Sequence, residues 1–190
     1  VIPDRIEAGT LLMGGAITGG DVTVLGCRPE HMPAQLGKMR EMGIDLQIGE
    51  RSIRARAAGP LRSVSIRTLP FPGFPTDMQA QFMAALCLAQ GESVITETIY
   101  PDRFIHAAEL VRMGADIRVD NGTARVRGVK TLEGASVMAS DLRASAALIL
   151  AGLAAQGRTE CLRVYHLDRG YERLEEKFRN LGAEIVRVSS

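Results

Sequence analysis

The run MQAQFMAALCLAQG, residues 78–91, is a short apolar helical pattern that ends in glycine, and it has two counterparts, AGTLLMGGAITGG at 8–20 and LRASAALILAGLAAQG at 142–157. The closing glycines Gly20, Gly91 and Gly157 lie 71 and 66 residues apart, a period that points to a repeat architecture. A second landmark keeps the same step. KMREMGIDLQI, ELVRMGADIRV and KFRNLGAEIVRV each read as a helix closed by a glycine, and Gly43, Gly114 and Gly182 are 71 and 68 residues apart. Met39, Leu110 and Phe178 stand four residues before those glycines, and Met42, Met113 and Leu181 one before. That is the i, i+3 stripe of a helix stopping at a glycine cap.

Behind the second helix the pattern switches to alternation. Ile44-Asp45-Leu46-Gln47-Ile48 is one case; another runs from Ile117-Arg118-Val119 through Asn121-Gly122 to Thr123-Ala124-Arg125-Val126. Asn-Gly between alternating runs signals a hairpin. Each unit reads helix, strand, helix, strand, turn, strand, and a further strand such as SVSIRTLP or ASVMAS feeds the next first helix. The chain is thus one α/β domain over 1–190, made of three βαβαββ-type repeats near 1–62, 63–132 and 133–190. One such unit cannot cover both its helices and its sheet, so the apolar first helices are expected inside, with small sheets outside. The first unit lacks its opening strand and the third, incomplete, its return strand. Strands must then come from elsewhere, or an edge is left open.

With 190 residues, 46% hydrophobic and 24% charged, and with 20 Gly and 8 Pro, the composition excludes disorder and collagen. A net charge of +1, five Phe, three Tyr and no Trp supply neither a basic field nor a stacking platform, so no nucleic-acid partner is expected. All basic residues but Lys38, Lys130 and Lys177 are Arg, which fits forks for phosphate and carboxylate or a codon bias. Cys27, Cys87 and Cys161 are odd in number and far apart. They point to a reducing compartment, with no disulfide framework, zinc site or other metal expected, and Cys87, inside the apolar run FMAALCLA, reads as a core residue. No 18-residue apolar run or secretory leader is present, so the expected location is cytoplasmic, without membrane insertion. A chain that begins with Val reads as a piece of something longer.

Leu69-Pro70-Phe71-Pro72-Gly73-Phe74-Pro75-Thr76-Asp77 is a loop stiffened by three prolines ahead of a helix. Thr76 or Asp77 suits an N-cap. Alternatively, Asp77 is a general base toward a sugar or alcohol hydroxyl if ligand burial raises its pKa. Asp102-Arg103 and Asp168-Arg169 occupy equivalent places before the second helices of the later units. Taken singly, each is a cap and a surface charge. Together with Asp141-Leu142-Arg143 they supply three arginines and helix N-termini, equipment for a phosphate plus a carboxylate. Nucleotide-phosphate, dinucleotide and serine-hydrolase glycine motifs are absent.

FPTDMQAQF, ETIYPDRFIHAAELVRMGA, MASDLRASAALILAGL and YHLDRGYERLEEKFRNLGA, taken in order with PDRIEAGT near the start, resemble the enolpyruvyl transferase family. Within it they are most similar to the branch of UDP-N-acetylglucosamine 1-carboxyvinyltransferases. The resemblance covers the whole chain. It implies an inside-out α/β barrel, a carboxy-terminal domain whose amino-terminal partner domain is absent, and no cofactor. It implies transfer of the enolpyruvyl group of phosphoenolpyruvate to the 3-hydroxyl of UDP-N-acetylglucosamine, in a complete enzyme that is monomeric and opens peptidoglycan synthesis. This domain alone would be inactive. By resemblance, Asp77 binds the sugar 3-hydroxyl and accepts its proton, and Asp141 is a catalytic aspartate paired with an active-site lysine of the other half. Ile99 contacts the UDP-sugar through its backbone, Arg103 and Arg143 face phosphoenolpyruvate, and Arg169 binds phosphate. The family's reactive cysteine belongs to the other half and is not inherited by Cys27, Cys87 or Cys161. The family's extreme amino-terminal segment would supply the missing strands. The competing readings are the 5-enolpyruvylshikimate-3-phosphate synthase branch, a non-catalytic UDP-sugar-binding module and, more remotely, an RNA-end-processing enzyme.

Overall fold

The computed structural model describes residues 2–188; Val1, Ser189 and Ser190, which the repeat limits include, lie outside the described residues. The first unit contains α1 (Arg5–Ile17), β1 (Asp21–Leu25), α2 (Pro33–Glu41), β2 (Ile44–Ile48) and β3 (Ser52–Ala57). The second contains β4 (Ile66–Arg67), α3 (Gln79–Leu86), β5 (Glu92–Thr96), α4 (Ile105–Arg112), β6 (Asp116–Asp120) and β7 (Thr123–Arg127). The third contains β8 (Ser136–Met138), α5 (Leu142–Ala154), β9 (Glu160–Leu162) and α6 (Leu174–Asn180).

Three small sheets have the orders β1-β3-β2, β4-β5-β7-β6 and β8-β9. The four-stranded sheet is the full pattern: β4 runs parallel to β5, β5 and β6 both run antiparallel to β7, and the β6–β7 hairpin turns through Asn121 and Gly122 at φ 45° and 71°. Two consecutive left-handed residues are what a type I′ turn requires. In the first sheet no strand occupies the outer edge of β1 among the described residues, and β9 has no antiparallel partner. Two expectations contract. SVSIRTLP yields only the two residues of β4, and AEIVRV at 183–188 forms no strand, leaving Val186 and Val188 exposed. A strand exists only where a second backbone answers its N–H and C=O groups in succession; around β4 such bonds are isolated, as from Ser63 to Gln90 and from Thr68 to Thr96, and residues 183–188 make none to another strand among the described residues.

Backbone hydrogen bonds recur with the sequence period. Arg62 N–H reaches the Met42 carbonyl at 2.9 Å and Glu133 N–H reaches that of Met113 at 2.8 Å. Gln90 donates to Leu61, and Gln156 to Leu132, each at 2.7 Å. Ala57 donates to Gly20 at 3.1 Å and Gly128 to Gly91 at 3.0 Å. At that last crossing a Cβ on Gly128 would lie 1.6 Å from the Ala89 carbonyl oxygen, so glycine alone lets the chains meet.

The three first helices pack together, α3 against α5 most extensively and α1 against both. Leu12, Met13, Phe82, Met83, Leu86, Leu148 and Leu150 are fully buried there, each side chain stabilising the fold by about 1.5–3 kcal/mol relative to exposure. Small residues set the spacing: Ala84, Ala85, Ala146, Ala147 and Ala151 are fully buried, and a Cβ on Gly14 would come within 2.4 Å of the Phe178 ring. At the start of α1 the cap is Asp4, which accepts from Ile6 N–H at 2.7 Å; Glu7 sits inside the first turn and pairs with Lys177 on α6.

His106 on α4 is buried, and its Nε2 has no partner among the described residues. Burial pushes its pKa down to about 4, with Asp141 pulling upward and Arg103 adding to the fall. The unfolded imidazole, near pH 6.5, takes up a proton that the folded one refuses. The contribution to stability is therefore full above about pH 6.5 and is lost as pH falls toward the folded value. Urea denaturation at about pH 7.5 and about pH 5 is expected to show wild type losing about 2 kcal/mol more than His106→Leu over that interval. Equal losses in the two proteins would mean that His106 is solvated when folded.

Candidate active site

The proline loop delivers Asp77. Leu69 N–H bonds the Phe74 carbonyl at 2.9 Å and Gly73 N–H that of Pro70 at 2.8 Å. Phe74 is buried edge-on against Phe82 of α3, with ring centroids 4.9 Å apart, which anchors the loop to the helix. A single 3₁₀ turn, Thr76–Met78, then leads into α3. Neither Thr76 nor Asp77 caps a helix: the residues at the two N-cap positions are Pro75 and Met78, and no side-chain cap bond forms. The capping alternative is thereby removed for Asp77. Its Oδ1 instead lies 2.8 Å from Arg103 Nη1 and its Oδ2 3.3 Å from Arg143 Nη2. Arg103 comes from the turn before α4 and Arg143 from the first turn of α5, so two repeats meet on one carboxylate.

The side chains are 39% exposed for Asp77, 23% for Arg103 and 13% for Arg143, so the carboxylate is the most accessible member of the cluster. Burial alone would raise the pKa of Asp77. The charges and hydrogen bonds of Arg143 and then Arg103 outweigh it and hold the carboxyl below its ordinary range. Beneath the cluster, the guanidinium of Arg143 lies 5.8 Å from the Tyr171 ring centre, with Nη1 3.5 Å from the hydroxyl. That hydroxyl lies 2.9 Å from Thr10 Oγ1 and accepts from Gln81 Nε2 at 3.2 Å. Thr10 on α1 and Gln81 on α3 stand one repeat period apart, so a buried polar tie runs across the helical centre.

The other predicted residues are placed differently. Asp141 is the N-cap of α5: its Oδ1 accepts from Arg143 N–H at 2.8 Å and Ala144 N–H at 3.0 Å, while Oδ2 accepts from the Ser140 hydroxyl at 3.3 Å. Ile99 has its N–H committed to Glu97 at 2.9 Å, so only its carbonyl is left to meet a ligand by backbone. Arg169 ends the 3₁₀ turn Val164–Arg169, is exposed, and has no hydrogen-bonding or ionic partner among the described residues. Its neighbour Asp168 is engaged by both Nη atoms of Arg187 at 2.6 Å. The two Asp-Arg pairs are therefore equivalent in sequence but not in contact: Arg103 joins Asp77 and Arg169 does not. Burial pushes the Cys87 thiol up to about 12 and that of Cys161 to about 11, with Cys27 raised as well, which suppresses the thiolate.

Glu97 and Tyr171 were not among the predicted site residues. Glu97 follows an alternating strand, and nothing in its type reveals that it is buried. Thr10 and Gln81 carried a readable signal, polar residues at equivalent places in otherwise apolar helices.

Residues 1–178 match the family EPSP synthase (3-phosphoshikimate 1-carboxyvinyltransferase). The chain belongs to this family. Relatives in it include the UDP-N-acetylglucosamine 1-carboxyvinyltransferases of Anaeromyxobacter sp. (strain K), 60% identical over 188 residues, and of Zymomonas mobilis subsp. mobilis, 58% identical over 188 residues. Each alignment covers 99% of this chain and 44% of the relative, so the chain spans under half the length of the relatives it matches. Among solved structures, the enolpyruvyl transferase NikO from Streptomyces tendae superposes with a TM-score of 0.92 at 30% identity, covering 100% of this chain and 45% of that one. EPSP synthase from Acinetobacter baumannii shares the fold with a TM-score of 0.65 at 21% identity, over 85% of this chain and 39% of that one. The inside-out α/β arrangement expected of the family is the one found here, with helices α1, α3 and α5 enclosed.

Tyr171→Phe removes the hydroxyl shared by Thr10, Gln81 and Arg143 while keeping the ring. Chemical denaturation is expected to show a loss of about 1–3 kcal/mol, the cost of leaving buried polar partners unanswered; unchanged stability would mean that the tie is not made.

Proposed function

We propose that this chain is the carboxy-terminal domain of an enzyme that transfers the enolpyruvyl group of phosphoenolpyruvate to the 3-hydroxyl of UDP-N-acetylglucosamine, releasing phosphate. Such an enzyme is cytoplasmic and commits its substrate to peptidoglycan synthesis. The observation that carries the reading is the Arg103–Asp77–Arg143 cluster, held by two repeats on an open face, in a chain 60% identical to carboxyvinyltransferases of that acceptor. NikO, at lower identity, supports the reaction class more than the acceptor.

One carboxylate and two guanidinium groups leave a surplus positive charge, which attracts an anionic donor. Without ligand the arginines occupy Asp77 and depress its pKa, so Asp77 is a poor base. Phosphoenolpyruvate, by drawing Arg103 and Arg143 onto its phosphate and carboxylate, would release Asp77 and raise its proton affinity. Asp77 then takes the proton of the sugar 3-hydroxyl as that oxygen bonds to C2 of the enolpyruvyl group, while the electron pair of the C2=C3 double bond takes up a proton at C3; loss of a proton from C3 afterwards restores the double bond as phosphate is expelled. Phosphate departs with the electron pair of the broken C2–O bond, its charge met by the arginines. Arg169, exposed on its 3₁₀ turn, is the added cation for the phosphate, Ile99 offers its carbonyl to the UDP-sugar, and Asp141 keeps Oδ2 for a lysine of the other domain.

Asp77 keeps 39% of its side chain exposed, and the chain spans 44% of the relatives it matches. This supports a site completed by a second body of protein, the amino-terminal domain, without which this chain does not turn over. The open edges at β1 and β9 are where strands from the remainder of the enzyme would pair.

The test mixes this chain with a separately made amino-terminal half and follows phosphate release, with UDP-N-acetylglucosamine and shikimate 3-phosphate offered in parallel. Release is expected only with both halves and the UDP-sugar. Release with shikimate 3-phosphate would move the chain to the EPSP synthase branch, and none from associated halves would favour a binding module. Asp77→Asn is expected to lower kcat by about two to four orders of magnitude, as for loss of a positioned base; near-normal turnover in a folded variant would end that assignment. Arg169→Ala should raise KM for phosphoenolpyruvate far more than KM for the UDP-sugar, and an unchanged dependence on phosphoenolpyruvate would remove Arg169 from the site.

A further inference from the structure

We propose that Glu97 is a positioning residue that sets the geometry of the Asp77 site by orienting the Thr76 hydroxyl beneath Arg103. This rests on the enolpyruvyl-transfer reading and names a residue that the family resemblance left unassigned.

Glu97, just beyond β5, is 3% exposed and is the buried acidic residue among the described residues. Four donors converge on it. Oε1 accepts from the Thr68 hydroxyl at 2.5 Å, from Ile99 N–H at 2.9 Å and from Tyr100 N–H at 3.0 Å; Oε2 accepts from the Thr76 hydroxyl at 2.9 Å. The carboxyl group therefore ties together the end of β4, the turn carrying Ile99, and the 3₁₀ turn carrying Asp77. Thr68 is held in its turn by Thr98, whose N–H donates to the Thr68 hydroxyl at 2.8 Å.

The consequence for the site follows from counting hydrogens. A threonine hydroxyl has one hydrogen to give. Thr76 spends it on Glu97, so only its lone pairs are left to face Arg103, whose Nη1 donates to Thr76 Oγ1 at 3.0 Å. The same Nη1 lies 2.8 Å from Asp77 Oδ1, and its two hydrogens account for both contacts. Glu97 thus fixes Thr76, Thr76 fixes the guanidinium of Arg103, and Arg103 fixes Asp77. A glutamine at 97 has nearly the same shape but carries an NH₂ group. With its oxygen held by Thr68, Ile99 and Tyr100, the NH₂ would face Thr76 and turn the threonine hydrogen toward Arg103, donor against donor.

The experiment uses the reconstituted two-half enzyme. Glu97→Gln and Thr76→Val are each expected to lower kcat by about 10- to 100-fold, the worth of one hydrogen bond to a charged group, while KM for UDP-N-acetylglucosamine changes far less. Thr76→Ser, which keeps the hydroxyl, is expected to recover most of the activity lost in Thr76→Val. The double variant Glu97→Gln/Thr76→Val should be no slower than Glu97→Gln alone, because the residues act as one unit. Wild-type turnover in Glu97→Gln, or losses that multiply in the double variant, would overturn the proposal. Should Glu97→Gln fail to fold, Thr76→Val against Thr76→Ser decides by the same criterion. Nitrogen-15 resonances of the arginine side chains in the 190-residue chain give a readout free of turnover: Arg103 is expected to shift in Glu97→Gln, and Arg143, reached only through Asp77, to shift less. An unmoved Arg103 would overturn the positioning role. Absence of phosphate release from the wild-type halves would instead sink the reaction reading and leave the positioning of Arg103 to this spectrum.

Discussion

Three helices with almost no polar surface must be hidden from water on every side, and the rest of the molecule is arranged around that demand. One sheet of three or four short strands cannot enclose such a helix. Three units can, each covering part of the others, with α1, α3 and α5 in mutual contact and the sheets turned outward. The geometry is tight enough to dictate individual residues. Gly14 lies under the Phe178 ring and Gly128 under the Ala89 carbonyl, and neither place has room for a methyl group. Within this apolar centre Thr10, Gln81 Nε2 and the Tyr171 hydroxyl bond one another, which offsets most of the cost of burying them, while Gln81 Oε1 has no partner among the described residues.

Packing α3 beside α5 also decides where chemistry can occur. It brings the 3₁₀ turn ahead of α3 against the first turn of α5, and Asp77 meets Arg143 there. Arg103 arrives from the turn before α4 and closes the other side. The negative end of this cluster is itself near a helix start, where a carboxylate is favoured. The surplus of cations over carboxylate gives the ligand-free site an affinity for anions together with an aspartate that stays ionised. Under the proposed reaction, an anionic substrate would have to draw the arginines away before Asp77 could act as a base, and donor binding would be coupled to proton removal.

Much of the fold was legible because the repeat is written in residue types with few alternatives. Gly20, Gly91 and Gly157, and Gly43, Gly114 and Gly182, mark helix ends where the chain reverses, and five of those six have positive φ. The Asn121-Gly122 turn was readable for the same reason. Strand lengths were less legible. Residues 183–188 alternate as a strand should, and β4 was expected to be longer, but a ladder needs a partner and alternation does not provide one. Helix caps were legible only in part, since Asp141 caps α5 while Asp77, of the same type at the corresponding place, turns away to two arginines.

The sequence by itself determined the threefold period, the enclosed helices, the family resemblance and the residue types available for an anionic substrate, because glycine positions and apolar runs constrain the backbone locally. Only the tertiary structure decided that Arg103 and Arg143 share Asp77 while Arg169 stands apart, that Asp141 spends one oxygen on its own helix, and that Glu97 lies buried under four donors. Those outcomes depend on which side chains from distant segments come within about 3 Å of one another. No local pattern encodes that distance, because it is set by how the three units pack.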